Sequence, residues 1–518
     1  MEPQALGVAP DQDQDFRTLF AGTAQNIVGL VVFVLGSIGA NVVVARAFGD
    51  RGGVALALVT LGTQFAFIAA AGARFGMDMA AIRYVAIEVG ADRRGRIRGI
   101  VVRAFAIAAA VSVPVAALML GVAPWLASQL SDEAAAVGVL RAAALALPFI
   151  AVTFVWLGAS RGLKIMRHTL YVQWVGQPLL WIVLMLGFWT VSKTVEASVL
   201  AYAASWVVAA VMARALWGGT SRASGREPLD EGFTGTLVRY GAPRAPAALF
   251  SQGLFWIDFF VAAAYTARGE ISAGQLGVYA ACVRISLAMV LFMTAVAYVF
   301  SPFVADLHSR GERERLDALF KTITRWTVAG TIPILLLMLV APASLLRLFG
   351  GQDFAGGADT LRILLIGQVV NVSVGAAGFV LIMAGRTGWD LFVYVSSAAL
   401  DLALAIFLVP RLGIDGAAVA QSVTLAASNA LRLWLVWRFV RIEPWDRRYA
   451  RLAVPAVIGA AVMVAAHAVV PEAKWFLNLT VTALVGGAAY AAALLAVGLP
   501  DTERAAAFRF AGKLARRR

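Results

Sequence analysis

In the stretch GVYAACVRISLAMVLFM (Gly277–Met293) one guanidinium, that of Arg284, interrupts an otherwise apolar run. At a bilayer centre such a charge costs about 2.5–3.5 kcal/mol on insertion scales, so something must offset it. Two kinds of partner fit the residue type. An anionic ligand reached through a water-filled cavity would accept charge-assisted, bidentate hydrogen bonds from the planar fork. A buried carboxylate such as Asp258, in the preceding apolar run, would instead make a scaffold ion pair. Arg244, in YGAPRAPAALF, lies near the start of that preceding run and either lines a cavity or snorkels to the membrane face. Pro243 and Pro246 flank it and are expected to kink the helix, which makes them hinge candidates. Asp258 and Asp401 are the intramembrane carboxylates suited to carrying a proton or a sodium ion. Arg141 and Arg362 lie closer to a membrane surface and read as snorkelling side chains.

Nothing in the chain reads as a catalytic or metal centre. Cys282 is the single cysteine and sits in an apolar run, which rules out a disulfide framework. Asp132, Glu133, Glu270, Asp353 and Asp359 are scattered over short polar segments, with no clustered pair for acid–base work. The alternating carboxylates of DQDQD (Asp11–Asp15) lack a fixed frame and read as a solvated tail. Among other polar residues in apolar runs, Asn26, Asn41, Gln177, Gln368 and Asn371 read as hydrogen-bonding glue between helices, and His467 as a packing residue.

The elements that must position these residues are membrane helices. The chain has 518 residues, 61% hydrophobic and only 14% charged, with a mean hydropathy of +0.80. Apolar runs of about 20 residues, each long enough to cross a hydrocarbon core of about 30 Å, recur throughout. Fourteen are expected, at about 24–45, 53–73, 99–121, 134–159, 170–190, 195–217, 238–265, 275–299, 322–345, 358–384, 389–409, 414–437, 450–470 and 475–498. All should be helical, because backbone in lipid must satisfy its own hydrogen bonds. The acidic start and long first run do not read as a signal peptide.

The formal charge of +14 could suggest nucleic acid, but its distribution argues for topology instead. Arginines crowd one set of connections (Arg93, Arg94, Arg96 and Arg98; Arg310, Arg313 and Arg315; Arg441, Arg447 and Arg448; Arg516–Arg518) and are sparse on the other. By the positive-inside rule both termini are expected in the cytoplasm, and no nucleic-acid partner is expected.

The chain also repeats itself. APWLASQLSDEAAAVGVLRAAALALPF (Ala123–Phe149) parallels APASLLRLFGGQDFAGGADTLRILLIGQV (Ala341–Val369), and GVALALV (Gly53–Val59) parallels GVYAACV (Gly277–Val283). The offset corresponds to six spans, an even number, so the two copies keep one orientation. Parallel six-span repeats suggest a transporter rocking two lobes about a midplane site. The expected organisation is a cytoplasmic tail (1–23), an N-lobe of six helices (24–217), a linker (218–237), a C-lobe of six helices (238–440), an appended helix pair (441–498) and a basic tail (499–518). The fold class is an all-α integral membrane protein with the lobes related by a parallel pseudo-two-fold.

AALDLALAIFLVPRLGIDGAAVAQSV (Ala398–Val423) resembles the span 11–12 signature of polysaccharide flippases in the multidrug/oligosaccharidyl-lipid/polysaccharide (MOP) superfamily, with Pro410, Gly413, Gly416, Ala417 and Ala418 in the family's Pro, Gly and Gly-Ala-Ala places. FWIDFFVAAAY with GQLGVYAACVRI resembles the span 7–8 region, FSPFVADLHSRGERERL the following loop, and LIMAGRTG the loop after span 10. At Asp401 the family usually has Asn. The resemblance implies a flippase for polyprenyl-diphosphate-linked saccharides, similar to O-antigen-unit or lipid II flippases. It implies a monomer in a bacterial inner membrane, working by alternating access with H+ or Na+ coupling, beside envelope-polysaccharide enzymes and membrane lipids. It also implies a polar cavity walled by spans 1, 2, 7 and 8, where Arg284 and Arg244 would meet the diphosphate and Gln64 and Gln252 the sugar hydroxyls. Two alternatives are MATE-like drug efflux, whose members usually have twelve spans, and a membrane glycosyltransferase or ligase.

Overall fold

The computed structural model describes residues 29, 32–221, 227–309, 311–375, 377–383 and 387–498. The expected tails (1–23 and 499–518), Asn26, and part of the linker and of LIMAGRTG lie outside them. Every described element is helical. Among the described residues all fourteen expected runs overlap helix, but ten helices are long and apolar enough to cross a membrane, or eleven if one bent pair counts as a single span. Three expected runs fall outside that set. Of the first, the described residues include the helix Val32–Ala47 (α1). The expected span 358–384 is interrupted at Gly375, between Ala358–Val374 and Ala377–Met383. Ile414–Phe439 carries buried Gln421, Ser422, Thr424, Ser428 and Asn429.

The chain divides into two compact units, and the division does not fall at the linker. One comprises Gly29–Ala281 with Tyr394–Gln421, the other Cys282–Val393 with Ser422–Arg518.

In the first unit, α2 (Gly52–Ala73), α3 (Met77–Gly90), α4 (Ile97–Leu130), α6 (Gln177–Trp189) and α7 (Val195–Ser221) assemble around or beside α5 (Ala136–Gly162). Alanine and glycine make α5 a hub, because small side chains let backbones approach. A Cβ on Gly158 would lie 2.5 Å from the Asp78 carbonyl oxygen, and one on Gly62 of α2 would lie 2.8 Å from Val139 of α5. Gln177 donates to Ser205 at 3.1 Å between α6 and α7, the interhelical glue expected of it. The expected second span ends at Ala73, as α2 does. After Phe75 and Gly76, both at positive φ, helix resumes as α3, whose buried Asp78 pairs with Arg74 at 3.5 Å while Arg74 stacks over Phe154.

The same unit holds α8 (Phe233–Gly241), α9 (Arg244–Gly253) and α10 (Ile257–Ala267), together the expected seventh span, and the start of α11 (Ala273–Ser309). Span 7 bends by 65° at residues 254–256, and its helix is also interrupted at Ala242 and Pro243, between α8 and α9. Pro243 caps α9 and Pro246 sits in its first turn, where a missing N–H costs little. Repeat-related residues touch here. A Cβ on Gly277 would overlap the carbonyl oxygen of Gly53, and one on Gly53 would lie 2.9 Å from that of Gly274. Only glycine allows so close an approach.

In the second unit, Leu316, Phe320 and Ile323 of α12 (Arg313–Val340) share a core with Val374, Val380, Leu381, Val393, Leu435 and Val436. A strap after Phe439 is tied down repeatedly. Arg313 donates to the Arg441 carbonyl, Trp445 to the Ser373 carbonyl at 2.9 Å, and buried Arg325 pairs with Asp446 at 3.1 Å. Asn371 links to Gln368 and Asn429 at 3.1 Å each, again as glue. The appended pair, Ala453–Val469 and Trp475–Ala493, packs on α12, where the Tyr490 hydroxyl donates to the Ala329 carbonyl. Asn478 locks the hairpin turn through His467 and Val470, so His467 has the packing role expected of it.

Candidate functional site

Asp258 stands in the first turn of α10, just past the 65° bend, and is fully buried. Its Oδ1 accepts the Phe259 N–H and its Oδ2 accepts the Tyr279 hydroxyl, each at 2.6 Å. Tyr279, nearly two turns into α11, is itself fully buried. The bend explains why the carboxylate can sit there, since interrupting the helix frees an N-terminus whose exposed amides and dipole favour negative charge. Gln421 supports the bend from the other side, its amide donating to the Phe255 carbonyl at 3.1 Å. Asp401, fully buried on the helix Thr387–Leu412, lies close enough to Asp258 to act on it electrostatically.

The sequence singled out both carboxylates, and the structure brings them together. It did not single out Tyr279 or Gln421 as their supports. Nothing in the spacing of residues 258, 279, 401 and 421 announces the grouping, although Tyr279 and Asp258 do stand in the quoted family motifs.

The other predicted residues are spread out. Gln64 and Gln252 are both half-buried on helices that run side by side, Ile68 beside Gly253 and Phe65 against Phe260. That register sets the two amides about 7 Å apart along the helix axis at 1.5 Å per residue. Arg244 is half-buried at the start of α9, with its guanidinium 5.8 Å from the Tyr240 ring centre. Arg284 lies in the second unit and is buried, 8% exposed. Arg141 is exposed, as is Arg362, which pairs with Asp359 at 2.7 Å.

Known proteins place this arrangement in context. Residues 26–186 match the MatE family model. The solved structure of the lipid II flippase MurJ in an inward closed conformation superposes with a TM-score of 0.70 at 13% identity, over 91% of this chain and 99% of that one. This chain carries the MOP-superfamily fold. An inward-facing multidrug resistance MATE transporter of the MOP superfamily aligns at TM-score 0.66 and 16% identity, over 79% of this chain and 94% of that one. A MOP transporter from Pyrococcus furiosus, described as having a binding pocket of reversed polarity, aligns at 0.60 and 16%, over 81% and 96%. In sequence, the probable low-salt glycan biosynthesis flippase Agl15 of Haloferax volcanii is 23% identical over 289 residues. That match spans 55% of this chain and 56% of the relative, little more than half of each. The MOP relatives are flippases and transporters, and this protein is a multi-span membrane protein of that fold.

Proposed function

We propose that this protein is a flippase that moves a polyprenyl-diphosphate-linked saccharide from the inner to the outer leaflet of a bacterial cell membrane. It works by alternating access, with both termini cytoplasmic. The observation that carries the reading is the buried Asp258–Tyr279–Asp401 group at a broken membrane helix. Buried carboxylates beside a helix break are suited to taking up and releasing a proton or Na+. Loading and unloading that cation therefore gives the helix break two energetically distinct states, which is what coupling to an ion gradient requires. Likeness to a glycan flippase and to a lipid II flippase supports the substrate class. The larger share of this chain covered by the lipid II flippase than by the MATE structure accords with the helix pair beyond the repeat.

In this reading Arg284 meets the diphosphate once the helices around it part, with Arg244 nearer the cytoplasmic mouth and Gln64 and Gln252 serving the sugar. The protein acts as a monomer, beside enzymes that assemble envelope polysaccharide. The MatE match over 26–186 favours one second reading, efflux of drugs, but cationic drugs would meet arginines at the proposed contacts.

The deciding experiment is reconstitution of the full chain in vesicles with a polyprenyl-diphosphate oligosaccharide, scoring its exposure on the far leaflet under an imposed H+ or Na+ gradient. Arg284→Lys should transport partly and Arg284→Ala hardly at all, both normalised to folded protein. Losing a charge-assisted hydrogen bond costs about 1.5–3 kcal/mol, or about 10- to 100-fold in apparent affinity. Full recovery in an Arg284→Ala/Asp258→Asn double variant would mark Arg284 as a scaffold partner instead, and transport of cationic dyes with no lipid movement would favour efflux.

A further inference from the structure

The ring of Tyr240, at the end of α8, carries two guanidinium groups. Arg83 of α3 lies 5.7 Å from its centre and Arg244 of α9 lies 5.8 Å from it. The ring is itself held in place by Tyr84, edge-on at 5.8 Å, which in turn meets Phe233 at 5.4 Å. The backbone beneath is close-packed, with a Cβ on Gly76 falling 2.6 Å from the Cβ of Arg244 and 3.2 Å from the Cα of Gly241. The break between α2 and α3 thus nests against the break between α8 and α9, and that nesting delivers Arg83 and Arg244 to one ring.

Two cations gathered at one ring repel each other, and the ring quadrupole offsets only part of that. Nearby arginines are neutralised by carboxylates: Arg74 by Asp78, Arg93 by Glu88 and Arg96 by Asp230. Among the described residues neither Arg83 nor Arg244 has such a partner, and the segment Phe233–Gly253 contains no carboxylate at all. The acids of α3 are already engaged. Arg83 is exposed, and Tyr240 and Arg244 are half-buried, so the pair is open to a ligand. Arg244 is also the first residue of α9, whose first turn holds no acidic residue to occupy its N-terminal amides.

We infer that Arg83, Tyr240 and Arg244 form a clamp at the cytoplasmic membrane face that captures the phosphate or diphosphate headgroup of a lipid before it enters the protein. The clamp is separate from Arg284, and its assignment to the transported lipid rests on the flippase reading above. Two guanidinium forks can bind oxygens of both phosphates of a diphosphate, whereas a monophosphate satisfies them less fully. The ligand chemistry is a phosphorylated lipid headgroup, supplied either by the substrate or by bulk anionic phospholipid.

The test measures equilibrium binding of radiolabelled farnesyl diphosphate to the full chain in phosphatidylcholine nanodiscs, so it needs no transport. Arg83→Ala should weaken binding by about 10- to 100-fold, Arg83→Lys by less, and Tyr240→Leu by several-fold. Tyr240→Phe, which keeps the ring, should bind like the parent, a distinction that a hydroxyl-based packing role does not predict. Farnesyl monophosphate should bind more weakly than the diphosphate. Unchanged binding in Arg83→Ala overturns the clamp. Complete displacement of farnesyl diphosphate by phosphatidylglycerol added to the nanodiscs assigns the patch to bulk lipid and overturns its role in capture. Arg83-dependent binding by a protein that flips no polyprenyl-linked saccharide would retain the clamp while removing the transport reading.

Discussion

The hydroxyl of Tyr279 donates to Oδ2 of Asp258 at 2.6 Å, and both side chains are sealed from solvent. The bond joins α11 to the half of span 7 beyond its bend, and it supplies a buried carboxylate with a donor that lipid could not. Tyr279→Phe deletes that donor while keeping the ring. Leaving a buried acceptor unsatisfied costs about 1–3 kcal/mol. The variant should unfold at a lower temperature than the parent in the same detergent and show weaker ion dependence of transport. Identical melting and identical ion dependence would mean that the hydroxyl contributes nothing to the site.

Asp258 and Asp401 should behave as a pair. Either single Asp→Asn change removes one buried carboxylate, so folded yield should hold or rise. Coupling should suffer, because one carboxylate alone no longer needs a bound cation to the same degree. Transport by Asp258→Asn should depend less on the imposed gradient than transport by the parent. Equal inhibition of parent and Asp258→Asn by an ionophore would count against a coupling role. The Asp258→Asn/Asp401→Asn double variant should fall well short of additivity, as contacting residues do.

Gly53 and Gly277 meet backbone to backbone, so their substitution tests the packing of the repeats. Gly277→Ala forces a methyl group onto the Gly53 carbonyl, and overpacking of this kind costs about 1–3 kcal/mol. Thermal unfolding should move down accordingly. A Gly487→Ala control, at a glycine with open space around it, should not shift it. If the two variants melt alike, the close approach is not a constraint on this protein.

Topology is checked by cysteine labelling in a Cys282→Ser background. A cysteine at Ser131, in the connection between α4 and α5, should react with an impermeant thiol reagent in intact cells. Cysteines at Ser224 and Ser309 should be shielded until the membrane is opened. Labelling of either from outside would contradict the expected orientation.

Much of the architecture was legible because membrane insertion is governed by local composition. An apolar run of sufficient length has to become helix in lipid, so the described residues of the fourteen runs are largely helical whatever their neighbours did. Arg284, Asp258 and Asp401 stood out for the same reason, since a charge in such a run is costly wherever it points. The repeat was visible as Gly53 and Gly277 because close backbone approach tolerates no side chain, and that constraint is written in residue identity.

What only the tertiary structure decided is where helices break and which distant residues then meet. Pro243 and Pro246 signalled a kink, yet the 65° bend falls at residues 254–256, where Asp258 heads the new helix and Gln421 holds a freed carbonyl. No local rule places Tyr279 on Asp258, Asp401 beside it, or Arg83 on the ring of Tyr240 with Arg244. Those meetings depend on the register of packed helices, which small residues along α2, α5 and α9 set by allowing some backbones to approach and not others. A sequence records each residue's cost in lipid, whereas the relief of that cost by a partner exists only once the helices have packed.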